Sequence, residues 1–168
     1  MAPDLRTDRL RLRSVRPSDL DALHALVSDR EVVSQTASWP WPADRAFTAT
    51  RCEPMDPARG ISGLVFLGEC LVGVMGVHDT GENQGEMGYM FARAHWGKGF
   101  ATEMGRVLIA HAFATYDWTK ITACVFDGNP GSIRVLEKLG FAEAGPCVSD
   151  CKARGGVFPT RTFTLKRP

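Results

Sequence analysis

Gly85-Glu86-Met87-Gly88-Tyr89-Met90-Phe91-Ala92-Arg93-Ala94-His95-Trp96-Gly97-Lys98-Gly99-Phe100-Ala101 is the stretch around which the chain is organised. Residues 86–91 read as a strand, 92–95 as a short connection and 96–99 as a glycine-rich turn. A helical run follows, with Met104, Val107, Leu108, His111 and Phe113 at near-helical spacing, and it should end by Tyr116-Asp117. The first N–H groups of such a helix have no partner within it, and the helix dipole adds partial positive charge there. The turn therefore suits an anion, most often a phosphate. Gly97 and Gly99 carry no Cβ, so a ligand can approach the main chain closely. Lys98 is placed to neutralise a phosphate; its alternative is a solvated loop lysine.

Upstream, Leu10, Leu12 and Val15 alternate with Arg9, Arg11 and Arg13, a period-two strand with one wet face. Pro17-Ser18-Asp19 opens a helix whose apolar stripe is Leu20, Leu23, Leu26 and Val27, with Ser18 or Asp19 available to cap it. Residues 28–43 read as irregular, because each proline of Trp39-Pro40-Trp41-Pro42 restricts itself and its predecessor. A second helix is expected over 43–51. Residues 61–67 and 70–77 read as strands joined at Gly68-Glu69, and 78–85 as a polar loop.

Downstream, 120–126 is a strand with Ile121, Ala123 and Val125 on one side and Thr122, Cys124 and Phe126 on the other. Asp127-Gly128-Asn129-Pro130 turns the chain into a short helix carrying Ile133, Val135, Leu136 and Leu139, which stops at Gly140. Residues 141–148 and 158–165 are the last strands, separated by the Gly155-Gly156 loop. The order is β-α-α-β-β-β-α-β-α-β-β, and its strand–helix–strand units imply at least one parallel pairing.

The chain of 168 residues reads as one domain, 1–168, large enough for a substantial core. Its 44% hydrophobic and 23% charged content is globular, and a formal net charge of +1 gives no reason to expect nucleic acid or a membrane as partner. No apolar run approaches the roughly 18–20 residues of a spanning helix. The N-terminus lacks an apolar signal core, from which a cytoplasmic protein is expected. Cys52, Cys70, Cys124, Cys147 and Cys151 are odd in number and scattered, which favours free thiols over a disulfide framework or a metal site.

The turn Trp96-Gly97-Lys98-Gly99-Phe100-Ala101 resembles the acetyl-CoA pyrophosphate loop of the GNAT superfamily of N-acetyltransferases, with Gly99 and Ala101 at the last two signature positions and Trp96 where Gln or Arg is usual. Trp96, the preceding Glu86-Met87-Gly88-Tyr89, the opening Thr7-Asp8-Arg9-Leu10-Arg11-Leu12-Arg13, and Asn129-Pro130-Gly131-Ser132-Ile133-Arg134-Val135-Leu136-Glu137-Lys138-Leu139-Gly140-Phe141 are similar to the RimJ/RimL-type branch, which acetylates protein N-termini. The resemblance spans nearly the whole chain. It implies an α/β (α+β) single-domain fold: a mixed, mostly antiparallel sheet of about six or seven strands flanked by about four helices.

The same resemblance implies acetyl-CoA as co-substrate and no metal. Main-chain N–H groups around Tyr89 and Met90 would serve the carbonyl oxygen, and the pantetheine would run along Met90, Phe91 and Ala92. Trp96, Gly97, Lys98, Gly99, Phe100 and Ala101 would hold the pyrophosphate, and Asn129 the pantetheine or its own helix. Glu86 is the candidate base, directly or through a water; the alternative is a solvated residue at a strand end. Many family members carry a tyrosine acid four residues before the Gly-Phe pair; here that position is Leu136, which cannot donate a proton. Ser132, one turn earlier, is the candidate partner for the thiolate, or else a local helix cap. Trp39 and Trp41 either wall the acceptor site or lid the core, and His78 and His95 are further acceptor-side candidates.

The acceptor is expected to be a peptide or protein N-terminal α-amine attacked directly, with a small amine (polyamine, aminoglycoside or amino acid) as the close rival. A coenzyme-A-binding module without catalysis is the reading from another class, supported by Leu136. Nucleotide-binding motifs fail, since Ala92 and Thr102 occupy positions where they need glycine. Monomer and homodimer both stay open.

Overall fold

Alternating apolar and polar residues build an eight-stranded sheet in the computed structural model, which describes residues 2–168. The strands are β1 (Asp4–Arg6), β2 (Leu10–Arg13), β3 (Gly60–Leu67), β4 (Cys70–Gly81), β5 (Gln84–Phe91), β6 (Lys120–Phe126), β7 (Ala142–Cys151) and β8 (Gly156–Lys166). The helices are α1 (Leu20–Val27), α2 (Arg30–Val33), α3 (Arg45–Thr50), α4 (Phe100–Thr115) and α5 (Pro130–Lys138). The strand order is β1-β2-β3-β4-β5-β6-β8-β7. Every pairing is antiparallel except β5–β6, whose connection passes through α4. Among the described residues no helix is long and apolar enough to cross a membrane.

The two faces of the sheet bury different cores. On one, Met75, Val77, Met87, Phe91, Ile121, Ala123 and Val125 meet Met104, Leu108 and Ala112 of α4 and Leu136 of α5. On the other, Leu64, Met90 and Phe126 meet Leu23, Leu26 and Val27 of α1 and Val32 and Val33 of α2. Each of these side chains other than the alanines contributes about 1.5–3 kcal/mol by leaving water. The α1–α2 side covers only one end of its face. Ser62, Gly76, Glu86 and Thr162 are half-buried and His78, Gly88, Cys124 and Cys147 exposed, so this end remains an open groove.

The fold class is as expected, and the differences are local. The sheet has eight strands because Asp4–Arg6 pairs back on β2 after the Thr7-Asp8 turn. The region 28–43 is not wholly irregular: Asp29 accepts the Glu31 N–H and starts the single-turn helix α2. The expected polar loop 78–85 is mostly strand. β4 runs on to Gly81 and turns tightly at Glu82 and Asn83, both at positive φ, a turn compatible with the twist of a hairpin. β7 continues to Cys151 and β8 begins at Gly156, so the last hairpin is longer than its pattern predicts.

The first helix also begins differently. A 3-10 turn (Pro17–Asp19) precedes α1, and neither Ser18 nor Asp19 caps that helix through its side chain. The Asp19 carboxylate instead accepts the Arg16 N–H at 2.8 Å and both arms of the Arg13 guanidinium at 2.8 Å each. Arg13 in turn lies over the Phe66 ring at 4.3 Å. Asp19 is nearly buried, so its charge depends on the Arg13 fork and the Arg16 N–H. The Arg13 bond holds the Asp19 carboxyl below its ordinary value, against the opposing effect of burial. Asp19→Asn is expected to lower the unfolding free energy by about 3 kcal/mol at pH 7. The stabilisation should be present above the unfolded carboxyl pKa of about 3.9 and be lost as pH falls from there through the folded-state value. Urea midpoints measured from pH 7 to pH 3 should therefore converge for the two proteins; equal midpoints at pH 7 would deny the pair its role.

Candidate active site

The glycine turn leads into the longest helix. Gly97 and Gly99 sit at φ 73° and 78°, and Gly99 is the residue before the first turn of α4. A Cβ built on Gly97 would meet nothing within 4 Å, and one on Gly99 only Arg9 Nη2 at 3.8 Å, so the main chain here is open to a ligand. Phe100 is buried in the core, and only its main chain belongs to the turn. Trp96 is largely exposed, yet its indole N–H donates to the Phe91 carbonyl at 2.8 Å and ties the turn to the end of β5.

The N-terminal segment braces this turn, a role that sequence reading missed. Arg9 donates through Nη2 to the Lys98 carbonyl at 3.1 Å and through Nε to Glu103 at 2.7 Å. Its guanidinium lies 4.7 Å from the centre of the Phe100 ring. Thr7 donates to the other Glu103 oxygen at 2.5 Å. Burial opposes ionisation of Glu103, but these donors hold its carboxyl below its ordinary value. The available signal was an acid in the first turn of a helix whose N-terminus otherwise invites an anion.

β5 and β6 pair over three rungs only: Gln84 with Lys120, Gly85 with Ile121 and Glu86 with Thr122. Residues 87–91 and 123–126 do not pair with each other, and the sheet opens between them. The Ala92 N–H donates to Val72 on β4, and the Met90 carbonyl lies close over Gly73, so the main chain of Met90 faces β4. The Gly85 carbonyl faces β6, where it accepts the Thr122 hydroxyl. By strand alternation the main-chain groups of Met87, Tyr89 and Phe91 therefore face the opening. Of the two expected donor positions, Tyr89 points its N–H into the split and Met90 does not.

Glu86 occupies the last rung, half-buried, with its side chain on the groove face. His78 is its cross-strand partner on β4 and Thr122 on β6. Cys124, two residues beyond Thr122, opens to the surface, but partial desolvation of its thiol pushes the pKa up, with the Glu86 charge adding to this. Tyr89 projects to the opposite face, and its hydroxyl lies 2.6 Å from Ser132 Oγ. Burial pushes the Tyr89 phenol up to about 12, against the Ser132 bond, so it keeps its proton at neutral pH. Asn129 accepts the Ser132 N–H at 3.2 Å, which makes its oxygen the cap of α5. Leu136 is fully buried, which closes that position to any ligand.

The remaining candidates gather elsewhere. Trp39 packs on the groove-side core and meets Phe47 edge-on at 5.6 Å, while Trp41 is 40% exposed. His95 lies over Phe100 at 5.9 Å and belongs to the turn rather than the groove. A cavity of about 470 Å³ lies between α1–α2 and the end of β5, bordered by Leu26, Asp29, Val32 and Ala92; it does not reach Glu86.

Comparison with known proteins is consistent along the chain. Residues 9–142 match the family described as Acetyltransferase (GNAT) domain. The uncharacterised N-acetyltransferase p20 of Bacillus licheniformis is 30% identical over 168 residues, covering 96% of this chain and 94% of p20. The uncharacterised protein YkkB of Bacillus subtilis (strain 168) is 30% identical over 147 residues, covering 80% of this chain and 82% of YkkB. A solved structure of RimL, a ribosomal L7/L12 alpha-N-protein acetyltransferase in complex with coenzyme A, superposes with a TM-score of 0.86 over 98% of each chain at 17% identity. The chain belongs to the GNAT acetyltransferase family and is an acetyl-CoA-dependent N-acetyltransferase.

Proposed function

We propose that the acceptor is the free α-amine of a peptide or protein, acetylated by direct attack in the cytoplasm. The observation that carries the reading is the three-rung pairing of β5 with β6, with Glu86 on its last rung. A thioester carbonyl entering the split from the α4 side would meet the Tyr89 N–H, and an amine arriving along the groove would meet Glu86. The acceptor amine is mostly protonated at neutral pH, so Glu86 takes its proton, directly or through a water. The amine nitrogen then bonds to the carbonyl carbon, charge develops on the carbonyl oxygen, the carbonyl re-forms as the C–S bond breaks, and the nitrogen gives up its remaining excess proton to water. The thiolate leaves with the Ser132 hydroxyl as its hydrogen-bond partner, itself aligned by Tyr89. A thiol pKa near 8.5 makes the anion a tolerable leaving group without a dedicated acid. In this reading Gly97, Lys98, Gly99 and the first N–H groups of α4 hold the pyrophosphate. The structural likeness to RimL supports a polypeptide acceptor through the fold alone, and five free thiols suit a reducing compartment.

Glu86→Gln should lower kcat by about 10²–10³, within the usual span for a positioned base, while acetyl-CoA still binds. Thiol release against peptides with different free first residues, polyamines, aminoglycosides and amino acids tests the acceptor. Turnover that scales with the first residue of the peptide is the expected result; turnover on one small amine with silence on peptides would overturn it. An inert Glu86→Gln beside an active parent also removes the non-catalytic reading.

Gly99→Glu tests the phosphate turn. The substitution strains a left-handed residue by about 1–2 kcal/mol but has open space, so the protein should melt only a few degrees lower. Acetyl-CoA affinity by calorimetry should fall about 100-fold or more, the loss when one or two charge-assisted hydrogen bonds are displaced. Unchanged affinity would move the cofactor elsewhere.

A further inference from the structure

Segment 28–60 mixes both signs of charge, and the fold sorts them. Asp29 caps α2 and pairs with Arg93 at 3.0 Å, Asp44 caps α3, and Asp56 accepts the Ala58 N–H. Arg45 is paired with Asp21. Glu31 and Glu53 remain exposed. Arg30 and Arg51 lie over aromatic rings instead: Arg30 over Trp41 at 5.0 Å, and Arg51 over Trp39 at 5.5 Å and Phe47 at 5.0 Å.

The turn between β7 and β8 brings two more cations to the same place. The Lys152 N–H donates to the Ala37 carbonyl at 3.0 Å, and its ammonium lies 5.5 Å from the Phe47 ring. Arg154 is held between Phe126 at 4.5 Å and Phe158 at 4.0 Å, with its Nε–H on Cys151 Sγ. Arg154 Nη2 is buried without a hydrogen-bond partner. Among the described residues, none of Arg30, Arg51, Lys152 and Arg154 has a carboxylate within ion-pair distance.

Aromatic faces fix a cation in position but leave its charge unneutralised. A half-buried guanidinium without an anion is costly, and an arriving anion recovers that cost. Phe126 ends β6 on the same face as Glu86. It lies four residue steps along the strand from Thr122, the partner of Glu86, a distance of about 13 Å. The cations thus stand some three or four extended residues along the groove from the proposed base.

We propose that this face reads acidic polypeptides: the free α-amine lies at Glu86, and Asp or Glu side chains among the next few residues lie over Arg51, Lys152 and Arg154. This rests on the α-amine reading above. Polyamines and aminoglycosides would bring more positive charge against four unpaired cations, so the groove disfavours them. The chain as a whole is nearly neutral, which sets it apart from a general binder of polyanions.

The test measures thiol release by the full chain from acetyl-CoA with peptides of one length and one first residue. Residues two to five are Glu, Gln or Lys. At low ionic strength the Glu peptide should exceed the Gln peptide in kcat/KM by about tenfold, with the Lys peptide poorest, and added salt should narrow the gap. The preference should largely vanish in Arg51→Gln/Lys152→Gln, whose side chains are exposed, and in Arg154→Gln, and it should persist in the charge control Arg106→Gln on α4. Melting curves confirm that each variant is folded. Equal values for Glu and Gln peptides, or a preference that survives both charge variants, would overturn the inference and leave the α-amine reading intact. Polyamine turnover above that of every peptide would overturn both. Inhibition of Glu-peptide turnover by equimolar RNA would reassign the cations to nucleic acid.

Discussion

The structure depends on a pairing that stops early. Among the described residues β5 and β6 are the only parallel neighbours, and they hold together for three rungs before parting. The cause lies in what flanks them. β5 is bonded along its length to β4, and β6 along its length to β8, so each follows the twist of its own antiparallel partner. At Tyr89 the free edge of β5 faces a gap instead of a strand. Unpaired main-chain donors are costly inside a protein unless something polar meets them. A thioester carbonyl and an amide-bearing pantetheine are such groups, and an acetyltransferase of this family has them to offer.

α4 makes the other half of the arrangement. Its apolar face is buried through Met104, Leu108 and Ala112, which fixes the helix on the sheet, and its first turn then presents N–H groups beside the end of β5. Such an end attracts any anion, including an acid of the chain itself. Glu103 stands in that first turn, yet Thr7 and Arg9 hold both its oxygens. The Arg9 guanidinium thereby neutralises the one internal competitor for the turn and also binds the Lys98 carbonyl. The Arg9 side of the brace is exposed to solvent, so its worth lies less in stability than in holding the turn in place.

Much of this was legible in the sequence, for reasons that differ from element to element. The strand over 120–126 was readable to the residue, because Ile121, Ala123 and Val125 face one core while Phe126 faces the other. The glycine turn was readable because positive φ and open main chain leave few choices of residue. β1 and the long end of β4 were not, since exposed polar strands look like loops. The brace of Arg9 on Glu103 joins residues 94 apart and has no local signature. Nor did spacing reveal that Asp19 serves Arg13 rather than its helix, or that Tyr89 reaches Ser132. Charge in 28–60 was undecidable by counting, because the fold spends most of the acids on caps and pairs while resting two cations on rings.

Leu136 bears on how the leaving group departs. Its side chain is sealed in the α4–α5 core, out of reach of any ligand. Ser132 lies one turn nearer the N-terminus of α5, where the helix dipole favours negative charge. Its N–H is already engaged by Asn129, which fixes the turn, and its hydroxyl is oriented by the Tyr89 phenol. A phenol that holds its proton to about 12 is a poor acid toward a thiolate, and it remains a neutral hydrogen-bond partner 2.6 Å from Ser132 Oγ. In the proposed mechanism the phenol donates in this bond, and the Ser132 hydrogen is then free to point at the departing sulfur. Stabilising a thiolate asks less of a protein than protonating it, because the anion is already within reach of neutral pH. In the proposed mechanism a hydroxyl pair at a helix N-terminus takes the part that the family resemblance would give to a tyrosine acid.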